Sequence, residues 1–146
     1  MESQQDIVAG LSAAFTHESL TVARYLSFAQ TAEIEGRAEA AAAFQEIAES
    51  VACAVQGHFD LLRDLEDPLT GLPLGGTGIN LRAAVTADLQ AMIEMYPRLA
   101  RIAHAAGLAD VASWLETLTM LKRSHAARLR RLTEDPVGMA STGEAG

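Results

Sequence analysis

One helical hairpin is written twice in this chain. The copies register on Gly36 and Gly107, each a short turn between two long helical patterns. Upstream, Tyr25 and Tyr96 stand at the same distance from their glycine. Downstream, Phe44 matches Leu115, Ile47 matches Leu118, Val51 matches Lys122 and Ala54 matches His125. A repeat on this scale predicts a pseudo-two-fold helical bundle, with functional groups where the halves meet.

Four helices follow from the periodicity. The first starts after a Ser3 cap and runs to about Glu35, with Leu11, Ala14, Glu18, Tyr25, Ala29 and Ala32 on one stripe. The second runs from about Arg37 to Glu66, with Phe44, Ile47, Val51, Ala54, His58, Leu61 and Leu65 inward. Pro68, Gly71, Pro73, Gly75, Gly76 and Gly78 then form a loop too rich in breakers for any element and long enough to cross a bundle. The third helix spans roughly Asn80 to Ala106, with Asp88, Met92 and Met95 inward and a kink expected at Pro97. The fourth runs from about Ala109 to Thr133 on the stripe Val111, Leu115, Leu118, Lys122, His125, Leu129, Leu132. Short turn, long crossover, short turn is the connectivity of an all-α, ferritin-like four-helix bundle. Residues 1–135 are expected to form it, with a disordered tail over 136–146.

A bundle core should be apolar, yet Glu18, His58, Asp88, Lys122 and His125 sit on these inward stripes. Isolated buried charges are costly, so such groups must be paired, metal-bound or reached by water. The helix ends do not explain them, because Glu18, Asp88 and Lys122 lie mid-helix. Composition narrows the partners. A formal net charge of -8 argues against nucleic acid, since phosphates would go unneutralised. The single cysteine, Cys53, excludes an internal disulfide and suits a reducing cytoplasm. No apolar run approaches membrane-spanning length, and the start Met-Glu-Ser-Gln-Gln-Asp lacks the basic residues of a signal peptide. A cytoplasmic location is expected.

Three segments resemble one family. Glu-Ser-Leu-Thr-Val-Ala-Arg-Tyr-Leu-Ser-Phe-Ala (Glu18 to Ala29) resembles the first helix of rubrerythrins, Phe-Gln-Glu-Ile-Ala-Glu (Phe44 to Glu49) the second, and Glu-Met-Tyr-Pro (Glu94 to Pro97) with Leu-Ala-Arg-Ile-Ala the third. The resemblance covers roughly residues 8 to 133. It does not extend to a C-terminal rubredoxin-like segment, which would need four cysteines for its iron.

The resemblance implies a two-iron site held by a first-helix carboxylate, Glu-x-x-His on the second and fourth helices, and two carboxylates on the third. Carried over by position, the first carboxylate is Glu18. The second-helix pair has become Val51 and Ala54. On the third helix one carboxylate is Asp88 and the other has become Ala91. On the fourth, the glutamate has become Lys122 while His125 remains. An ammonium repels a metal rather than binding one, so the expectation is no metal, with Lys122 balanced by Glu18 and Asp88. The alternative is one iron or manganese ion on Glu18, Asp88 and His125.

Each residue also has a structural reading. Lys122 can extend to solvent, and His58 can be a half-exposed core histidine. Tyr25 matches a tyrosine beside the family's metal site but is equally a buried tyrosine bonded to a carboxylate. Cys53 is a small packing residue, and Met92, Met95 and Met120 are core filler. Three functional classes result. The first is a metal-free protein binding a small molecule or a protein partner in a pocket at Val51, Ala54, His58, Ala91 and Met92. The second is a cofactor-free enzyme using Glu18, Asp88, Lys122, His125 and Tyr25. The third is an iron or manganese oxidoreductase or peroxidase with a reduced ligand set. The small residues Ala40 to Ala43, Ala52, Cys53 and Gly57 suggest close helix approach in a homodimer.

Overall fold

The computed structural model describes residues 3–134, so the tail expected over 136–146 lies outside them. Among the described residues every regular element is helical. Helix α1 spans Gln4–Ile34 and α2 spans Ala38–Arg63. Helix α3 spans Thr77–Gln90, a π-helical turn follows over Ala91–Met95, and α4 continues over Tyr96–Ala105. Helix α5 spans Ala109–Thr133. Taking α3 through α4 as one rod, this is four long helices in the hairpin, crossover, hairpin order of a ferritin-like bundle.

The chain divides into two compact units, with the boundary after Pro68 in the crossover. In the first unit α1 packs on α2; in the second, α5 packs on α3 and α4. The crossover is anchored to the start of α3 by Asn80, whose Oδ1 accepts from the Gly75 N–H and whose Nδ2 donates to the Gly75 carbonyl, both at 2.9 Å.

Helix α1 begins where its sequence says it should. The Ser3 hydroxyl accepts from the Asp6 N–H while the Asp6 carboxylate accepts from the Ser3 N–H, a reciprocal capping box. That backbone donor holds the Asp6 carboxyl below its ordinary value.

The two hairpin turns are copies of each other. Gly36 and Gly107 both adopt φ 75°, the left-handed conformation that favours glycine. The Arg37 N–H reaches back to the Ala32 carbonyl at 2.7 Å and the Leu108 N–H to the Ala103 carbonyl at 2.8 Å, so each helix closes in a Schellman motif. Across each hairpin a polar pair recurs at the matching register. Gln45 donates to Glu33 in the first, and His104 Nε2 lies 2.7 Å from Glu116 Oε1 in the second.

Each hairpin zips on alanine. The first buries Ala29, Ala32, Ala41 and Ala48 with Thr21 and Leu62; the second buries Ala83, Ala91, Ala100, Ala103, Ala112 and Ala126. Methyl side chains let the rods approach closely, and each buried methyl contributes about 0.8 kcal/mol. Around this seam in the first hairpin, Tyr25, Phe28 and Phe44 form a ring cluster, with Tyr25 and Phe44 edge-to-face at 5.4 Å. The stripes that periodicity sends inward differ from these seams. Ile47, Ala54, Leu61 and Leu65 are left exposed, as are Val111, His125 and Leu132. The reason is geometric: two helices cover only the strip between them, whereas a bundle-facing stripe lies to one side of it.

The expected kink at Pro97 takes the form of the π turn. The Tyr96 N–H donates to the Ala91 carbonyl, five residues back, and the rod continues into α4 past Pro97, whose missing N–H withdraws one donor from the turn before it. A π turn inserts one residue into an α-helix. It shows in the spacing: Tyr25 follows Glu18 by seven residues, whereas Tyr96 follows Asp88 by eight. The extra residue brings Asp88 into the register of Glu18, and buried Ala91 into that of buried Thr21.

Candidate functional site

Two helices of the second hairpin bring the central charges together. Asp88 lies near the end of α3, one turn before the π segment, and Lys122 lies midway along α5. Lys122 Nζ donates to Asp88 Oδ1 at 3.0 Å. The Asp88 side chain is 14% exposed and that of Lys122 32%, so the carboxylate is the more deeply set partner. Lys122 therefore neither sits fully inside nor runs free to solvent. Its ammonium ends on Asp88. Partial burial weakens solvent screening and strengthens such a charge-assisted bond over a surface pair.

Beside this pair opens a cavity of about 690 Å³, lined wholly by the second unit. Ala87, Ala91, Met95, Leu99 and Ile102 form one wall along α3, the π turn and α4, with Leu69 of the crossover at its border. Gln90, Glu94 and Arg98 follow the parallel edge, and Tyr96, Asp88 and Lys122 complete the lining. The steps from 87 to 91, 95, 99 and 102 keep these side chains on one face, with the π turn absorbed between 91 and 95. Ala91 matters by what it lacks: a methyl group leaves room beside Asp88 that a longer side chain would fill.

The other sequence-derived candidates fall as follows. Glu18 belongs to the first hairpin, where its Oε1 lies 3.2 Å from His17 Nδ1 and its side chain is 30% exposed. Val51 and His58 are half-buried on α2 and Ala54 is exposed. Tyr25 packs its ring in the aromatic cluster. His125, one turn from Lys122 on α5, is exposed, and Met92 is half-buried outside the cavity lining. Cys53 is an exposed free thiol. Of the pocket expected at Val51, Ala54, His58, Ala91 and Met92, the cavity contains Ala91. Sequence reading passed over Gln90, Glu94 and Arg98 as cavity edge. The available signal was the one-residue mismatch between the tyrosine-to-acid spacings, which re-aims everything on either side of the π turn.

As to metal chemistry, no three His, Cys, Asp or Glu side chains among the described residues form a group able to hold an ion. No helix among them is long and apolar enough to cross a membrane.

Comparison with known proteins gives a consistent picture. A model of the family described as Rubrerythrin matches residues 10–133. The chain is 25% identical over 146 residues to a putative rubrerythrin of Methanocaldococcus jannaschii, covering 91% of this chain and 72% of that one. It is 29% identical over 119 residues to a rubrerythrin of Porphyromonas gingivalis, covering 79% and 60%. To rubrerythrin-1 of Clostridium acetobutylicum it is 27% identical over 133 residues, covering 86% and 68%.

Proposed function

This chain belongs to the rubrerythrin family, and from that premise we propose that it has given up the family's diiron chemistry and binds a small molecule at the Asp88–Lys122 cavity. The observation that carries this reading is the 3.0 Å bond from Lys122 Nζ to Asp88 Oδ1. An ammonium stands where the resemblance puts a glutamate ligand, and it is bonded to one oxygen of the carboxylate that a metal would use.

The donor set does not fit a pair of metal ions. Two divalent ions bring four positive charges, which carboxylates at the ligand positions would have to offset. Val51, Ala54 and Ala91 offer no donor atom, and Lys122 adds charge of the wrong sign. What remains is Glu18, Asp88 and His125. A single iron or manganese ion on those three is the competing reading, and their retention is what favours it. Under the metal-free reading, Lys122 supplies a fixed positive charge that needs no ion and leaves the neighbouring space to an organic ligand.

We also propose that the chain works in the cytoplasm as a homodimer. The exposed free thiol of Cys53 suits a reducing compartment. A monomeric mass by light scattering at micromolar concentration would remove the pairing.

Restoring the ligands tests the metal-free reading. The quadruple variant Val51→Glu, Ala54→His, Ala91→Glu, Lys122→Glu should retain iron after anaerobic reconstitution, whereas the native chain should release it on desalting. Native chain retaining iron as firmly as the variant would overturn the proposal.

A further inference from the structure

The cavity's chemistry selects among ligands, on the assumption that it binds one as proposed above. Its lining carries two anionic side chains, Asp88 and Glu94, and two cationic ones, Lys122 and Arg98. With no net charge there, an ion of either sign gains no long-range attraction. The local balance is stricter. Asp88 and Lys122 satisfy each other at 3.0 Å. An anionic head group would draw Lys122 away and leave Asp88, 14% exposed, without its partner. A cationic head would displace Lys122 from Asp88 and leave two like charges together. A neutral head with both a donor and an acceptor meets neither cost, since it accepts from Lys122 and donates to Asp88 while the pair stays closed.

The rest of the cavity is long and apolar. From Asp88 to Ile102 the rod runs about 20 Å at 1.5 Å per residue. Along that length Ala91 is buried while Met95, Leu99 and Ile102 are exposed, so the wall is an open apolar groove, with Gln90, Glu94 and Arg98 beside it. A straight hydrocarbon tail can lie along this wall while its head reaches the ion pair.

We propose that the cavity takes a linear amphiphile with an uncharged head that both donates and accepts hydrogen bonds, a primary fatty amide being the simplest example. The head bridges Lys122 and Asp88, and the tail lies over Ala91, Met95, Leu99 and Ile102.

The test uses the full chain and four probes, hexanamide, octanamide, octanoate and octylamine, titrated by calorimetry at neutral pH. Octanamide should bind at least about tenfold more tightly than octanoate or octylamine. Hexanamide should be weaker than octanamide by up to about fourfold per methylene removed. Lys122→Met should move the preference toward octylamine, and Asp88→Asn should move it toward octanoate, each by at least about tenfold. Octanoate or octylamine matching octanamide on the native chain would overturn the head-group assignment and leave the cavity reading standing. A preference that neither variant moves would also overturn it, because the head would then lie elsewhere. Failure of all four probes to bind would overturn the ligand class alone, since all four are linear amphiphiles, and the metal-free reading stands or falls on metal content.

Discussion

Lys122 is the residue on which the metal-free proposal most depends, and its contact with Asp88 is measurable in isolation. The pair is intermediate between a surface bridge, worth up to about 1 kcal/mol, and a fully buried one. A double-mutant cycle on Lys122→Met and Asp88→Asn should therefore return a coupling of about 1 kcal/mol in chemical denaturation. A coupling below about 0.3 kcal/mol would mean that the bond does not persist in solution. Asp88→Ala should cost less than Lys122→Met, because a lysine already 32% exposed can turn to water while a carboxylate 14% exposed cannot. At this scale the sequence was informative in kind and incomplete in detail. Polar residues on apolar stripes flagged Asp88 and Lys122, because charge is conspicuous against leucine and alanine. The depth of each side chain was not legible, since it depends on where the stem of Lys122 lies on α5.

Among the elements, the two turns are the most predictable feature, and glycine is the reason. Gly36 and Gly107 share φ 75°, and an added Cβ meets nothing within 4 Å at either position. Alanine at either should therefore cost only the backbone penalty of the left-handed conformation, about 1 to 2 kcal/mol. Gly36→Ala and Gly107→Ala should match within about 0.5 kcal/mol, because the turns are copies. Guanidinium denaturation of each variant checks this, and unequal losses would contradict the equivalence of the two hairpins. Helix limits were legible for similar local reasons, from the capping box at Ser3 to the end of α5 at Thr133. The π turn was less so. Pro97 announced a disturbance, but a π turn and a kink remove the same clash, and only the eight-residue step from Asp88 to Tyr96 distinguishes them. The seams were misjudged for a different reason. Periodicity marks a broad apolar face, while the helix packed closest within a hairpin covers only its alanine edge, as at Ala41, Ala48, Ala112 and Ala126.

For the whole molecule, family and fold were readable from three short segments and the doubled hairpin, because glycine register and apolar period survive substitution of the chemical groups. Function is a different matter. On the proposed reading, whether helices of this family hold metal ions rests on the residues at Val51, Ala54, Ala91 and Lys122. Whether small side chains leave space or the rods close over it is decided by helix spacing, which sequence does not specify; Ala91 is one of the residues lining the cavity of about 690 Å³. The metal-free proposal depends on the charge at Lys122 replacing that of a metal. Elemental analysis of the native protein, purified without chelators, tests this most directly. A protein free of the diiron centre should carry fewer than about one iron or manganese atom per chain and show no near-ultraviolet absorption from an oxo-bridged pair; two tightly held metal ions per chain would contradict this.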